Sequence, residues 1–416
     1  MAIKDDIQSA ENSNQEEIQE PLILQHQKSL KHGGRTADEA QTSRKESLWM
    51  VYLSTFVAVC GSYEFGTCVG YSSPTQAAII EDLGLSVGEY SVFGSILTVG
   101  AMIGAVTSGP IADFVGRKGA MRVAAAFCFI GWLAIYFAKE PMLLDFGRLT
   151  NGFGMGVFSY VVPVLIAEIS PKNLRGALTT LNQVMICSGV SISFVIGTVV
   201  TWRTLALIGI IPCGIVILGL FLIPESPRWL AKKGYQKEFI DALQKLRGRD
   251  ADISQESTEI QEYIETLDRL PKATLVDLFQ RRYLSSVTIG VGLMVFQQFG
   301  GINGICFYVS SIFESAGRIH VYIGSFSAGM GAVPWVVMSE IFPINIKGKA
   351  GSLATLVNWF GAWAVSYTYN YLISWSSYGT FVLYAAVNAL AIAFVIKVVP
   401  ETKGKTLEQI QAAINS

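Results

Sequence analysis

The stretch "SGPIADFVGRKGAM" (Ser108–Met121) places three charged side chains, Asp113, Arg117 and Lys118, between two long apolar runs. The apolar runs come in blocks of about twenty residues, the length that a helix needs to cross roughly 30 Å of hydrocarbon. The chain has 416 residues, of which 51% are hydrophobic and 15% are charged. Soluble domains usually carry about 25% charged residues. The composition therefore predicts an integral multi-pass membrane protein, with the quoted charges in a loop between two spans.

The apolar blocks predict about ten membrane-spanning helices, each satisfying its own backbone hydrogen bonds. The predicted spans are Leu48–Gly70, Val92–Ala112, Gly119–Ala138, Pro141–Ala167, Leu178–Thr201, Leu205–Ile223, Leu284–Phe313, Val321–Ile341, Gly351–Ile373 and Tyr378–Val399. The fold class that follows is an all-α membrane protein.

The positions of lysine and arginine predict the orientation of these spans, because cytoplasmic loops retain positive charge. The loops after the second, fourth and sixth spans carry Arg117 with Lys118, then Lys172 with Arg175, then a basic group from Arg228 to Arg282. The opposite loop "SSPTQAAIIEDLGLSVGEY" has no lysine or arginine. We therefore expect both termini in the cytoplasm. The pattern does not distinguish a plasma membrane from a vacuolar membrane.

The chain divides into five predicted regions. Residues 1–46 are polar and lack an apolar run, which is typical of a disordered cytosolic tail. Residues 47–224 form a six-helix bundle, 225–283 a cytosolic helical linker, 284–399 an incomplete bundle of about four spans, and 400–416 a second cytosolic tail.

All six cysteines lie within predicted spans: Cys60, Cys68, Cys128, Cys187, Cys213 and Cys306. We expect them to act as small apolar fillers rather than as disulfide partners or metal ligands. The histidines, His26, His32 and His320, lie outside the spans. The sequence therefore predicts no metal site, no cofactor and no catalytic centre.

An internal repeat is visible in the sequence. "AEISPKNLRGALTTLNQ" (167–183) matches "SEIFPINIKGKAGSLATLVN" (339–358), and "IPESPRWLAKKG" after the sixth span returns as "VPETKGKTLEQ" after the last. Duplicated helical halves with a central site are typical of secondary transporters.

The second copy is shorter than the first. About 120 residues separate Leu48 from Glu168, but about 56 separate Leu284 from Glu340, a deficit of roughly 64. We interpret this deficit as two missing spans, the eighth and ninth, with their junction near "SAGRIHVYIG" (315–324). The motif "GPIADFVGRK" therefore occurs once because its twin belongs to the missing segment.

Several motifs in order carry a resemblance to a known family. "GSYEFGTCVGYS", "PESPRWL", "QQFGGINGICFY", "PWVVMSEIFPINIKG" and "PETKGKTLEQI" resemble the plant early-responsive-to-dehydration-like sugar transporters, of the sugar-porter branch of the major facilitator superfamily. The resemblance implies a two-bundle helical fold, a carrier rather than an enzyme, and cytosolic helices in the long loop. Thr150 departs from it, since the family usually has an aliphatic residue there.

A sugar site needs groups that both donate and accept hydrogen bonds, together with flat aromatic surfaces. The seventh span supplies Gln297, Gln298, Asn303 and Tyr308, and its Gly300, Gly301 and Gly304 would let the helix unwind. Alternatively, such amides only join helices, at about 0.6 kcal/mol each. The resemblance favours sugar contacts and adds others, so that the predicted set is Gln183, Gln297, Gln298, Asn303, Tyr308, Trp335, Asn358 and Trp359.

The charged motifs gain a role from the same resemblance, which implies an ionic network that closes the cytoplasmic side when the site faces outward. Its predicted members are Asp113, Arg117, Glu168, Arg175, Glu225, Arg228, Glu340, Lys347 and Glu401. Of the second-half counterparts to Asp113, Arg117, Glu168 and Arg175, only Glu340 and Lys347 remain.

Coupling to protons depends on the first and fourth spans. Proton-coupled members of the family place an aspartate where this chain has Cys68, opposite an arginine that corresponds to Arg148. A buried arginine should find a partner, because an unpaired one costs about 2.5–3.5 kcal/mol on insertion. Glu64 lies one helical turn before Cys68, so we hypothesise that Glu64 pairs with Arg148 and could carry a proton. The alternative, which we favour, is a permanent ion pair in a facilitator.

The sequence thus predicts a carrier of hexose-like monosaccharides that works by alternating access, by facilitated diffusion rather than proton-linked uptake. A shortened form that does not transport, and at most regulates full-length partners, is the alternative. A channel or membrane enzyme is less favoured. The expected partners are a small neutral sugar, the lipid bilayer and, if uptake is proton-linked, protons, but not nucleic acid.

Overall fold

The structure is a computed structural model, and it describes residues 48–171, 173–269, 276–307, 326, 329–331, 333–342 and 346–401. These residues all belong to one compact unit, Glu46–Ser416. Their regular structure is helical. The α-helices are α1 Trp49–Gly70, α2 Ser72–Leu83, α3 Val87–Phe137, α4 Pro141–Ile169, α5 Arg175–Gly197, α6 Trp202–Gly219, α7 Pro227–Lys232, α8 Gln236–Arg247, α9 Ser254–Arg269, α10 Arg281–Phe299, α11 Ile302–Phe307, α12 Val333–Ile341, α13 Lys347–Trp375 and α14 Ser377–Val398. A short 3₁₀ helix covers Val276–Phe279.

Helix α3 contains two spans. Its 51 residues would extend about 76 Å at 1.5 Å per residue, more than twice the bilayer core. Gly116 interrupts it with φ 83° and ψ 172°, a conformation that only glycine adopts readily. We call the parts before and after Gly116 α3a and α3b. They correspond to the predicted second and third spans.

Six helical segments of the described residues are long and apolar enough to cross a membrane: Val87–Phe137, Pro141–Ile169, Arg175–Gly197, Trp202–Gly219, Tyr283–Phe307 and Ser377–Val398. Helices α1 and α13 have 22 and 29 residues, long enough to span, but are not among these six. The all-α membrane fold is therefore confirmed. Of the predicted span Val321–Ile341, the described part includes the helical residues Val333–Ile341.

The predicted seventh span is broken near its middle. Helix α10 ends at Phe299, Gly301 takes φ 95°, and α11 resumes at Ile302. A Cβ on Gly301 would lie 2.5 Å from the Tyr384 ring. The predicted unwinding is therefore confirmed at Gly301. Gly304 instead lies inside α11, where its missing side chain lets the Tyr369 ring approach.

The buried apolar residues form three separate clusters. The largest cluster lies among helices α1–α6, which we call the first half. It also includes Ile305, Tyr369 and Tyr384 from the second half, helices α10–α14. A second cluster lies among α10, α12 and the start of α13, and a third joins α7, α8 and α9. The halves also meet where Asn370 Nδ2 donates to Ser91 Oγ over 3.0 Å. The two halves therefore share one apolar cluster toward the Ser91 end. The second cluster, at the other end of the second half, contains no described residue of the first half.

Candidate functional site

Three of the predicted sugar ligands form one hydrogen-bonded cluster. Gln298 Nε2 donates to Asn358 Oδ1 over 2.6 Å, and Asn303 Nδ2 donates to Gln298 Oε1. These side chains come from α10, α13 and α11, so the break at Gly301 is what brings Asn303 back toward Gln298. Gln298 and Asn358 are buried. The amide cluster, defined as Gln297, Gln298, Asn303 and Asn358, is the polar centre of the second half.

Gln297 is the fourth member of the amide cluster and retains an unused acceptor. Its Nε2 donates to the carbonyl oxygens of Met330 and Gly331, over 2.5 and 3.3 Å. Its Oε1 is buried and has no hydrogen-bond partner among the described residues, and the same holds for the Tyr384 hydroxyl. Unsatisfied buried polar atoms are rare in native structures and demand an explanation. Here they are groups that a polar ligand could satisfy.

An aromatic surface accompanies the amide cluster. Trp359 follows Asn358 in α13, and its ring centroid lies 6.0 Å from that of Phe65 in α1. The pair therefore connects the two halves beside the buried amides. Flat apolar rings next to amide groups match the two kinds of surface that a sugar presents. Phe65 lies within the quoted motif "GSYEFGTCVGYS", but its contact with Trp359 was not predicted.

Two other predicted ligands, Gln183 and Trp335, do not join this cluster. Gln183 of α5 is exposed, and its Nε2 contacts Cys187 Sγ one turn later over 3.6 Å. Trp335 of α12 is 42% exposed. Tyr308 lies outside the described residues. The structure thus gathers the ligands of α10, α11 and α13 and leaves Gln183 and Trp335 apart.

Glu64 and Arg148 do not form the expected ion pair in this conformation, so that expectation is corrected. Glu64 Oε1 instead accepts from Trp132 Nε1 over 2.6 Å and from Cys68 Sγ over 3.5 Å. Arg148 donates to the carbonyl oxygen of Cys68 over 2.9 Å and to Ser72 Oγ. Both charged side chains are fully buried, and each reaches Cys68 rather than the other. The reason is that a neighbouring indole and backbone carbonyl satisfy them first.

Aromatic rings further stabilise the Arg148 guanidinium. Its Cζ lies 5.0 Å from the centroid of Phe93 and 5.7 Å from that of Tyr71. Cation–π contacts of this kind contribute about 2 kcal/mol when desolvated. The aromatic surroundings of Arg148 therefore replace part of the stabilisation that an ion pair would have provided.

The predicted ionic network exists in the first half and is centred on Arg117. Its guanidinium binds both carboxylate oxygens of Glu168, with Nε–Oε2 and Nη2–Oε1 distances of 2.9 Å. Nη1 also donates to the Ala112 carbonyl over 3.0 Å and to Asp113 Oδ1 over 3.2 Å. A bidentate arginine–carboxylate pair is both strong and geometrically specific. Arg117 therefore holds the end of α4 against the α3a–α3b junction.

Glu225 joins this network through backbone groups. Its Oε1 accepts from the amide nitrogens of Arg117 and Ser226 over 3.1 and 2.8 Å, and its Oε2 from that of Lys118 over 3.1 Å. A side chain at Gly116 would collide with the Glu225 carboxylate. The first backbone amides of a helix have no partner within that helix. The left-handed Gly116 therefore leaves the first amides of α3b free to bind the Glu225 carboxylate.

Two predicted members lie outside the network, which corrects that part of the prediction. Among the described residues, no hydrogen bond or ion pair joins Arg175 to Glu168, and the Arg175 Nε is buried without a partner. Arg228 lies 5.5 Å from the Tyr263 ring centroid instead. Burial and the nearby Arg228 charge both lower the pKa of Arg175. These two cations repel each other and take other neighbours.

The structure describes two of the three predicted network members from the second half. Glu340 is half-buried in α12, and Glu401 is exposed just after α14. Lys347 begins α13, and its side chain lies outside the described residues. The ion pairs of Arg117 are made within the first half.

Unpredicted residues complete the network from the linker. Ser226 Oγ donates to Glu168 Oε2 over 2.6 Å, Trp229 Nε1 to the Asp113 carbonyl over 3.0 Å, and Lys232 Nζ to Asp113 Oδ2 over 3.1 Å. All three come from "PESPRWLAKKG", of which only Glu225 and Arg228 were predicted as network members. The motif therefore contributes to the network through its neutral residues Ser226 and Trp229 as well as through its charges.

The charges of this network respond to burial and pairing. Burial acts to raise the pKa of Asp113, but Lys232 and Arg117 outweigh it and hold that pKa below its ordinary value. The stabilisation is therefore fully present above the ordinary aspartate pKa and is lost as the pH falls through the lowered value. Burial raises the pKa of Glu225 despite its backbone hydrogen bonds.

The helical linker is attached to the first half by Arg247. Its guanidinium binds both oxygens of Glu256, over 2.8 and 2.6 Å, and donates to the Ile169 carbonyl over 2.9 Å. Ile169 is the last residue of α4, where carbonyls lack helical partners and a cation is favoured. Arg247 thus ties α8 and α9 to the helix that carries Glu168.

Comparison with known families decides the assignment. Residues 20–318 and 318–414 match the family described as "Sugar (and other) transporter". The chain belongs to the sugar transporter family. The match to this family is divided at residue 318, inside the stretch 315–324 where the repeat predicted a junction.

Curated members of the sugar transporter family from Arabidopsis thaliana resemble the chain closely. It is 63% identical to "Sugar transporter ERD6-like 7" over 443 residues, covering 90% of this chain and 96% of the relative. It is 54% identical to "Sugar transporter ERD6-like 16" over 448 residues, covering 91% and 93%. The resemblance stated from the motifs is therefore confirmed.

Solved structures of a bacterial sugar transporter share the fold. The inward-open conformation of the xylose transporter XylE from E. coli matches with a TM-score of 0.75 and 25% identity, covering 87% of this chain and 99% of that one. XylE described as a proton:xylose symporter, bound to 6-bromo-6-deoxy-D-glucose, matches with a TM-score of 0.70 and 23% identity, covering 87% and 98%. The fold is that of the major facilitator superfamily.

The relatives also measure what this sugar transporter family member lacks. The match to ERD6-like 7 runs over 443 positions but takes in 90% of 416 residues, about 374, so about 69 positions have no residue from this chain. That number agrees with the deficit of roughly 64 inferred from the repeat. It is about the length of two helices of some 20 residues and their connections.

Proposed function

We propose that the protein carries monosaccharides across a membrane by alternating access. The observation that supports this most directly is the amide cluster, in which Gln298 joins Asn303 and Asn358 by hydrogen bonds, while Oε1 of the adjacent residue Gln297 is buried without a partner among the described residues. A neutral polyol can donate to Gln297 Oε1 and exchange hydrogen bonds with Gln298, Asn303 and Asn358. The Trp359 and Phe65 rings offer the apolar surface for the sugar ring. The likeness to a xylose transporter favours a monosaccharide over a larger substrate.

The proposed conformation is open toward the cytoplasm. The Arg117 end carries the basic loops and is therefore assigned to the cytoplasmic side. The halves share their core toward the opposite end, where Asn370 reaches Ser91. At the Arg117 end the second half has its own core. The likeness to an inward-open solved structure supports the same assignment.

In this proposal the network around Arg117 acts as half of a cytoplasmic latch. In the open state the charges of Arg117, Glu168 and Glu225 are satisfied within the first half and by the linker. Closure would bring Glu340 and Lys347 toward them. A contact present in one state and absent in the other biases the equilibrium between the two.

We further propose facilitated diffusion rather than proton-linked uptake. Cys68 occupies the place of the coupling aspartate in the resemblance, and Arg148 is satisfied by a carbonyl, a hydroxyl and two rings. Glu64 is held by Trp132 instead of Arg148. Moving a proton through Glu64 would therefore not switch a bond to Arg148 in this state. Uptake that is independent of a proton gradient in wild type, and unchanged in Glu64→Gln, would agree with a facilitator.

A second candidate function is a shortened chain that does not transport. About 69 positions of the ERD6-like 7 match are absent, and only 17% of the apolar stretch of α5 and 11% of that of α14 are buried. Helices built to pack against missing neighbours would lose those contacts, and at membrane depth polar groups without partners are costly. This candidate keeps the fold and the family but loses the activity.

The test is labelled hexose and pentose uptake in yeast that lacks its own hexose transporters. Three chains are compared at matched membrane abundance: the protein as it is, a version with the two missing spans restored from ERD6-like 7, and that version with Gln298→Ala. Uptake by the unmodified chain supports the carrier. Uptake by the restored version alone supports the second candidate.

A matched amide control separates binding from packing. Asn151 of α4 is a fully buried amide that faces Gly131 and lies outside the amide cluster. We expect Gln298→Ala to reduce uptake at least tenfold, equivalent to about 1.4 kcal/mol, with Asn151→Ala changing it much less. Equal losses would mean that the amides serve packing and not sugar binding.

A further inference from the structure

Three ligand atoms of metal-binding type converge inside the first half, away from the amide cluster. Glu64 and Cys68 lie one turn apart on α1, and Cys128 lies on α3b. A carboxylate oxygen of Glu64 and the two Sγ atoms all lie within 4.8 Å of one another. All three side chains are completely buried. Each cysteine was predicted to be an apolar filler, but the tertiary structure places two of them against a carboxylate.

A third thiol lies near this group. Cys213 of α6 is also fully buried, and its Sγ donates to the Gly209 carbonyl oxygen over 3.7 Å. We name Glu64, Cys68, Cys128 and Cys213 the thiol–carboxylate cluster. It brings together side chains from three helices, α1, α3b and α6.

An unused ligand atom belongs to this cluster. Glu64 Oε1 accepts from Trp132 and Cys68, but Glu64 Oε2 is buried without a hydrogen-bond partner among the described residues. Leaving a buried carboxylate oxygen unsatisfied costs about 1–3 kcal/mol or more. A carboxylate oxygen beside several thiols, without a donor of its own, is a ligand atom ready to bind a cation.

The spacing suits a tetrahedral site. Zinc–sulfur bonds of about 2.3 Å and zinc–oxygen bonds of about 2.0 Å place the ligand atoms of a tetrahedron roughly 3.5–3.8 Å apart. Cys68 Sγ already lies 3.5 Å from Glu64 Oε1. The remaining separations, within 4.8 Å, need a contraction of up to about 1 Å, which side-chain rotation can supply.

Charge selects the class of ion. If Glu64 binds as a carboxylate and Cys68 and Cys128 as thiolates, the ligands carry three negative charges. The Arg148 guanidinium, bonded to the Cys68 carbonyl, supplies one positive charge, and a divalent ion supplies two. The resulting assembly is neutral, which is what a low-dielectric interior requires. A monovalent ion would leave a net charge unless one thiol stayed protonated.

We propose that the thiol–carboxylate cluster is a structural site for a thiophilic divalent cation of the Zn²⁺ class. Glu64, Cys68 and Cys128 are the ligands, whose donor atoms lie within reach of one ion, and Cys213 stays a neutral neighbouring thiol. Thiolate ligands in tetrahedral geometry favour zinc over the hard cations magnesium and calcium. Binding releases the proton of each thiol that becomes a thiolate, so affinity rises with pH. Because all ligands lie in the first half, the ion fixes packing within that bundle.

The first test measures zinc in the full chain, purified in detergent from zinc-supplemented yeast. We expect roughly one zinc ion per chain in the wild type. Cys128→Ser should lose the ion, and Cys213→Ser should lose only part of the zinc content. Cys187→Ser is the matched control, because Cys187 is exposed on α5 and should leave the zinc content unchanged. A wild-type chain without zinc, a Cys128→Ser chain that keeps it, or a Cys187→Ser chain that loses it would each overturn the proposal.

Thermal unfolding provides a second readout that does not depend on purification history. A ligand that binds only the folded state raises the melting temperature, and its removal lowers it. We expect a strong chelator to lower the melting temperature of wild type and of Cys187→Ser but not that of Cys128→Ser. Chelated wild type and Cys128→Ser should then melt within a few degrees of each other, which confirms that the variant is folded. A chelator that lowers the melting temperature of Cys128→Ser as much as that of wild type would refute the site.

Discussion

The two halves of this protein descend from one repeat, yet they satisfy their charges differently. In the first half, Arg117 binds Glu168 through two hydrogen bonds and Glu225 caps the next helix. In the second half, Glu340 keeps the place of Glu168 in the repeat, but the sequence contains no second copy of the motif that carries Arg117. The difference teaches that the repeated carboxylate forms a bidentate pair in the half where the chain also supplies Arg117.

The halves differ in their helix breaks as well. Both contain a left-handed glycine, Gly116 with φ 83° and Gly301 with φ 95°. Gly116 lies between two spans and exposes amides to a carboxylate, whereas Gly301 lies within a span and brings amide side chains together. The first break serves the network at the membrane surface. The second shapes the candidate binding site.

The largest expected effect comes from the matched carboxylates of the repeat. Glu168→Gln removes the charge that neutralises Arg117, whose side chain is only 9% exposed, and should cost about 3 kcal/mol of unfolding free energy. Glu340→Gln should cost less than about 1 kcal/mol, because its repeat partner is missing. Denaturant titration of the detergent-solubilised chains measures both. An equal loss of unfolding free energy in the two variants would mean that Glu168 and Glu340 are equally important for stability, and that the proposed difference between the halves is wrong.

A smaller effect is expected at the first glycine break. Gly116→Ala forces a left-handed backbone on a residue with a Cβ and drives that Cβ into the Glu225 carboxylate, which three backbone amides hold in place. The expected loss is about 2 kcal/mol. Gly109→Ala is the control, since its Cβ meets open space in α3a and alanine favours the helix. A neutral Gly116→Ala would mean that the break is not fixed by Glu225.

The second break should tolerate substitution somewhat better. In Gly301→Ala the new Cβ meets the ring of Tyr384 rather than a fixed carboxylate, so the ring can move and the loss should be about 1–2 kcal/mol. Because the break positions Asn303, sugar uptake should fall more than stability does. Gly351→Ala in α13, where a Cβ meets nothing, should change neither. An unchanged uptake in Gly301→Ala would mean that the helix break does not position the sugar-binding residues.

The smallest effect concerns the contact that joins the halves. Asn370→Ala and Ser91→Ala each remove one end of a 3.0 Å hydrogen bond, worth about 0.5–1.5 kcal/mol. A double-mutant cycle on unfolding free energy should give a coupling energy in that range. A coupling energy near zero would show that the halves are held at this end by apolar packing alone.

The sequence determined much of the fold. Blocks of about twenty apolar residues gave the spans, and the charged residues between the second and third spans placed the division of α3 near residue 116, because these signals are local. The repeat gave the deficit and its position, which the divided family match at residue 318 reproduces. Gln298, Asn303 and Asn358 were named from their chemistry and their motifs.

Other features arise from contacts between residues far apart in the chain, where sequence patterns carry little information. Glu64 and Arg148 were predicted to pair because their charges are opposite. The sequence pattern did not indicate that Trp132, 68 positions away from Glu64, would donate a hydrogen bond to it. It described Cys68, Cys128 and Cys213 as separate apolar fillers, and only the packing of α1, α3b and α6 brings them to one carboxylate. By itself, then, the sequence determined the spans, the repeat, its missing part and the family. The tertiary structure decided which buried polar groups meet, because desolvated groups must take whichever partner the packed helices place within reach.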